Sequence, residues 1–126
     1  MQSLTEVVNR TPSNPSAYNI RGSALGKAGR DDEAIEDFNR AIQINPRFAQ
    51  AYANRGLVFR LMGQDDKALN DYNRAVQVDP KYSSAYVRRG NVYRRQNQLA
   101  RALEDYNRAI QIRSTDPEAF HNRGLV

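Results

Sequence analysis

The chain repeats itself at a step of 34 residues, and that step limits what it can fold into. Tyr18, Tyr52, Tyr86 and Phe120 keep it, as do Gly22, Gly56, Gly90 and Gly124. Ala34, Ala68 and Ala102 keep the same register, followed by Phe38, Tyr72 and Tyr106, and then by Ala41, Ala75 and Ala109. Pro12, Pro46 and Pro80 complete it, while Ser114 breaks the column and Pro117 arrives three residues later. A period of this length marks an array of small units, none of which can bury its apolar face alone.

Each unit reads as two helices. Tyr52, Gly56 and Phe59 lie on one stripe at a spacing of three to four, and so do Ala68, Leu69, Tyr72, Ala75 and Val76. Between the stripes Gly29, Gly63 and Asn97 occupy the same place, where a left-handed residue ends a helix. Asp31 and Asp65 follow, suited to cap the next helix and complement its dipole; Leu99 replaces them in the third unit and predicts a weaker cap. Asn45-Pro46 and Asp79-Pro80 end the second helices. Asn14-Pro15 and Asp116-Pro117 read as a cap followed by proline at the first helical position.

The pattern Tyr-x3-Gly, glycine at the turn, then Ala, Tyr, Ala and a closing Pro resembles the tetratricopeptide repeat over essentially the whole chain. The Asn-Arg-Gly and Asp-Tyr-Asn-Arg-Ala runs look like bacterial members of that family. The resemblance implies an all-α, right-handed superhelical solenoid of antiparallel helix pairs. Residues 15–48, 49–82 and 83–116 are the three full repeats it predicts. A lone second helix lies within 1–14, and 117–126 is the first helix of a fourth repeat.

Charge repeats as well. Arg21, Arg55, Arg89 and Arg123 stand where the family usually has an apolar residue, and Asp37, Asp71 and Asp105 follow the first three by sixteen residues. Because charges are buried only when paired, each Arg-Asp couple is expected to bridge the two helices of its own hairpin. The alternative is that the arginines contact ligand. Glu36 with Arg40, and Glu104 with Arg108, stand four apart and read as a solvated outer face.

Composition narrows the chemistry. The absence of cysteine excludes thiolate catalysis, disulfides and cysteine-ligated metals. The single histidine, His121, supports neither a metal site nor a base-and-nucleophile set, and no glycine-rich phosphate loop is present. No catalytic residue and no cofactor is expected. No apolar run approaches the ~20 residues of a membrane span, and no charged-then-apolar leader opens the chain. The net charge of +5 favours acidic partners, and the compartment stays open.

In tetratricopeptide repeats the first helices line a concave groove, and here those helices carry Arg21, Lys27, Arg55, Arg60, Arg88, Arg89, Arg94, Arg95 and Arg123 with Glu118 as their one acid, while the second helices carry most of the acids. The family's groove positions fall on Asn19, Ser23, Lys27, Ala53, Leu57, Arg60, Leu61, Val87, Asn91, Arg94, Arg95, His121 and Leu125. The implied ligand is an acidic or C-terminal peptide, gripped through arginine forks and asparagine amides. One subclass of the family clamps acidic chaperone tails. Asn54 and Arg88 match two clamp positions, but Asn19, Ser23 and Ser84 stand where it wants Lys, Asn and Lys, so chaperone-tail binding is rejected. Nucleic acid ranks last, because Tyr18, Tyr52 and Tyr86 fall on core positions and are not free to stack on bases. The second reading is self-association: Leu4, Val7 and Val8 at one end, and Phe120, Leu125 and Val126 at the other, look uncapped. The bland account of the same ends is a piece of a longer array.

Overall fold

A computed structural model describes residues 4–10, 13–113 and 122–124. Among these, the helices are α1 (Leu4–Arg10), α2 (Pro15–Lys27), α3 (Asp31–Ile44), α4 (Ala49–Leu61), α5 (Asp65–Val78), α6 (Ser83–Arg95) and α7 (Leu99–Ile112), and residues 122–124 are also helical. No strand occurs among the described residues, and no helix there is long and apolar enough to cross a membrane.

The helix ends follow from single residues. Asn14 Oδ1 accepts from the backbone N–H groups of Ser16 (2.9 Å) and Ala17 (3.4 Å), and Pro15 gives up an N–H the first turn has no use for. Asn14→Ala is expected to lower stability by ~1 kcal/mol in urea denaturation. Gly29 and Gly63 take φ +79°, and Asn97 takes φ 61°. In each case the next residue's N–H closes back onto the last turn: Arg30 to Leu25 O, Gln64 to Phe59 O and Gln98 to Tyr93 O, at 2.8–2.9 Å. Asn45 and Asp79 end α3 and α5 in extended geometry, and their side chains accept from Arg47 N and Lys81 N at 3.1 Å.

The capping expectation needs correction. Arg30, Gln64 and Gln98 occupy the cap positions, and none makes a side-chain cap bond. The left-handed residue is followed by one non-helical residue, so Asp31 and Asp65 become the first helical residues. There they still complement the dipole. The third unit therefore lacks a first-turn acid rather than a cap.

Helices pair as α2 with α3, α4 with α5 and α6 with α7. Ala34, Ala41, Ala68, Ala75, Ala102 and Ala109 are fully buried at these contacts. Successive pairs then share a core. Val58 of α4 packs on Ala34 and Phe38, and Val92 of α6 packs on Ala68 and Tyr72. Burying a ring such as Phe38 contributes ~1.5–3 kcal/mol, and every unit obtains that contribution only with its neighbour present. Among the described elements α2 touches α4 and α4 touches α6, whereas α3, α5 and α7 do not touch one another. The first helices thus form the close inner layer and the second helices the splayed outer one.

Candidate binding groove

The repeated arginines face inwards to the hairpins. Arg21 donates through Nε and Nη2 to Asp37 at 2.7 and 2.6 Å. Arg55 does the same to Asp71 and Arg89 to Asp105, each at 2.9 and 2.7 Å. The carboxylates are 6–7% exposed. Burial outweighs the arginine at Asp71 and Asp105, so their carboxyls stand above the ordinary aspartate range. The hydrogen bonds to Asp37 and Asp105 raise the guanidinium pKa of Arg21 and Arg89 further.

A third partner was not anticipated. Arg55 Nη1 donates to Asn39 at 2.7 Å, and Arg89 Nη1 to Asn73 at 3.0 Å, each from the preceding hairpin. Arg123 Nη1 reaches Asn107 at 3.3 Å in the same relation. The ladder therefore ties the later units to their predecessors as well as joining each hairpin internally. Its signal was available in the 34-residue step of Asn39, Asn73 and Asn107.

This pairing alters the charge of the inner layer. Arg21, Arg55 and Arg89 are neutralised in place, and Arg95 is bound by Asp65 at the start of α5. Among the described residues Arg94 reaches only Asn122, at 3.4 Å. Lys27, Arg60 and Arg88 make no ion pair among the described residues, and they supply the groove's remaining positive charge together with Arg94.

The expected groove positions divide into three kinds. Ala53 and Val87 are buried at 0% and 2% and belong to the core: Ala53 shares a cluster with Ala85 of α6, and Val87 shares one with Ala102, Tyr106 and Ala109 of α7. Asn19, Asn54, Arg88 and Asn91 form a polar rail across the inner helices. Asn54 Nδ2 donates to Asn19 Oδ1 (3.1 Å), and Arg88 Nη1 donates to Ala53 O (3.2 Å) and Asn54 Oδ1 (3.4 Å). Asn91 Oδ1 accepts from Asn122 (3.0 Å) and from the Tyr106 hydroxyl (2.7 Å). Ser23, Lys27, Leu57 and Leu61 surround a crevice of about 90 Å³ between α2 and α4, with Phe38 and Val58 also lining it. Leu61 is 62% exposed at its edge.

Tyr18, Tyr52 and Tyr86 are buried, and the hydroxyls of Tyr52 and Tyr86 donate to the carbonyls of Pro46 (3.0 Å) and Pro80 (3.2 Å). They present no stacking face to a base. At the amino end Val8 is not an uncovered apolar residue: it is 4% exposed and sits with Ala17, Tyr18, Ala41 and Ala51 in a core cluster. α1 occupies the place that a preceding second helix would fill, which is why Val8 is covered. Leu4 is 36% exposed. The Val7 side chain, Phe120, His121 and Leu125 lie outside the described residues.

Family models described as TPR repeat and tetratricopeptide repeat match residues 22–63 with 90–126, 49–82, and 71–104. No curated protein matches the sequence. Among solved structures, MamA superposes with TM-score 0.80 at 30% identity over 88% of this chain, and this chain spans 65% of MamA. The first TPR of Spaghetti (RPAP3), bound to the HSP90 peptide SRMEEVD, superposes with TM-score 0.84 at 25% identity over 89% of both chains. The first TPR domain of human RPAP3 gives 0.85 at 25% identity over 90% of both. Domains of this kind mediate protein–protein interactions and are usually non-catalytic. The repeat register, the paired helices and these matches together establish that the chain belongs to the tetratricopeptide repeat family.

Proposed function

We propose that the chain is a non-catalytic interaction module that holds an acidic peptide segment, internal or C-terminal, along the inner faces of α2, α4 and α6. The observation that carries this reading is the separation of its cations. The repeated arginines are satisfied inside the hairpins, while among the described residues Lys27, Arg60 and Arg88 make no ion pair, and Lys27 lines an apolar crevice. Guanidinium forks suit carboxylates, and the Asn19–Asn54 rail offers an amide to a peptide backbone. The relative that binds SRMEEVD supports an acidic ligand as a class. Asn19, Ser23 and Ser84 argue against the same grip on a chaperone tail, because they remove the lysines and the asparagine of that clamp.

Selection from a display library of random C-terminal heptapeptides, followed by fluorescence polarisation, tests the reading. Acidic sequences should be enriched, and a Lys27→Glu, Arg60→Glu variant should bind them at least tenfold more weakly while melting normally. Enrichment of basic sequences, or displacement of the peptide by an unrelated oligonucleotide, overturns it. End-to-end assembly has less to stand on, since Val8 is spent in the chain's own core.

A further inference from the structure

One row recurs along the first helices as Ala24, Val58 and Val92. Val58 and Val92 are 4% and 0% exposed, because α3 covers the one with Ala34 and Phe38 and α5 covers the other with Ala68 and Tyr72. Ala24, at the same place in α2, is exposed. The helix beside it is α1, with seven described residues where α3 and α5 have fourteen. A cavity of about 530 Å³ opens there, lined by Ala24, Leu25 and Ala28 of α2 and by Leu4 and Thr5 of α1. The arginine ladder is also incomplete at this step. Thr5 stands where Asn39 and Asn73 receive Arg55 and Arg89, and Arg21 Nη1 makes no hydrogen bond among the described residues. The place of a second-type helix is thus half filled.

Charge selects what can fill it. The remaining lining is Arg21 and Arg30 against Glu33, Glu36 and Asp37, two cations against three acids. Arg21 holds Asp37 and Arg30 holds Glu33, so Glu36 is the acid without an ion pair among the described residues. A helix that opens as α3 or α5 does, on Asp31 and Asp32 or on Asp65 and Asp66, would be repelled. α7 opens differently. Its first turn has no acid, and Leu99 and Leu103, one turn apart, are 43% and 39% exposed. Arg101 between them stands over the Tyr93 ring and makes no ion pair among the described residues. Two exposed leucines and a cation match an apolar wall and an unpaired acid.

We propose that the first two turns of α7 of one copy dock into this cavity on a second copy, with Leu99 and Leu103 against Ala24 and Ala28 and Arg101 towards Glu36. The contact joins unlike surfaces, so it is head-to-tail and can add copy after copy. It does not depend on the acidic-peptide reading, and Val8 stays in the core of its own chain.

Sedimentation velocity of the whole chain over a wide concentration range tests this, with Leu99→Asp and Ala24→Glu as variants. Leu99→Asp restores the residue that Asp31 and Asp65 supply at the same first helical position, and Ala24 is exposed, so both variants should fold; melting curves at low concentration check it. Wild type should associate as concentration rises, and each variant should associate about tenfold more weakly or less. An equal mixture of the two variants should recover pairs and stop there, because each supplies the surface that the other lacks. A wild type that stays monomeric overturns the second copy as occupant, and capture of a basic amphipathic helical peptide by that monomer would assign the cavity to a different protein. Association of either variant as tight as wild type, or a mixture that stays monomeric, overturns the pairing of these two surfaces.

Discussion

Arg55→Met is expected to lower the unfolding free energy by about 3 kcal/mol at pH 7, the low end for breaking a buried pair because the Arg55 side chain is still 21% exposed. Methionine replaces much of the stem but none of the donors. Asp71, 6% exposed, would lose both bonds that fill its oxygens, and Asn39 would lose the donor that links the two units. Burial already sets the Asp71 carboxyl above its ordinary value with the arginine present, and without it the carboxyl rises further. The sign of the pH dependence follows. A carboxyl with a raised folded pKa holds its proton in the folded chain after the unfolded chain, near pKa 3.9, has released it. Stability therefore falls as pH climbs from about 4 through the folded pKa and returns on acidification. The defect should be largest at neutral pH and shrink towards pH 4. Adding Asp71→Asn should recover most of the loss at pH 7 and flatten the profile. Urea denaturation between pH 4 and 8 measures both. A loss equal at every pH would assign the cost to packing, and intact stability with lost peptide binding would move the arginines to the ligand.

That ladder was legible in the sequence because both of its charges recur with the repeat, at a separation that joins two helices of one hairpin. The turns were legible for a similar reason: Gly29, Gly63 and Asn97 are among the few residues that accept positive φ at low cost. What the sequence concealed lies between units. Asn39 and Asn73 look like ordinary surface polar residues until the next unit's arginine is placed over them. Arg95 and Asp65 are thirty residues apart with no periodic partner pair to announce them. Ala53 and Val87 fall on the groove-facing rows of their helices, yet become core once neighbouring helices close on them, α6 through Ala85 at Ala53 and α7 through Ala102 and Tyr106 at Val87. A pattern read helix by helix reports which face is shared, and only the packing angle decides which residues of that face keep contact with water.

Packing at the shared glycine column makes a second prediction, in which the sign depends on what the neighbours can yield. Replacing a helical glycine by alanine gains ~1 kcal/mol of helix propensity when the site is open. At Gly90 the new Cβ would stand 2.7 Å from Tyr106 Cε1 and 3.2 Å from Asp105 Cβ. Neither can withdraw: Tyr106 is fully buried and tied to Asn91, and Asp105 is held by both nitrogens of Arg89. Overpacking should exceed the propensity gain, and Gly90→Ala is expected to cost about 2 kcal/mol net. At Gly22 the three nearest atoms all belong to the Phe38 ring, at 2.8–3.1 Å. That ring has no hydrogen bond to hold it, so Gly22→Ala should fall near zero. Gly56 lies between them, with Asp71 Cβ at 3.1 Å but a Tyr72 hydroxyl that lacks a hydrogen bond as short as the one Tyr106 makes to Asn91. Adding Tyr106→Phe to Gly90→Ala should return part of the loss, because it releases the ring from Asn91. Chemical denaturation of the three alanine variants tests the order. Equal losses at all three would mean that backbone separation alone sets the cost, and that the hydrogen bonds made at the ring ends do not stiffen the hairpins.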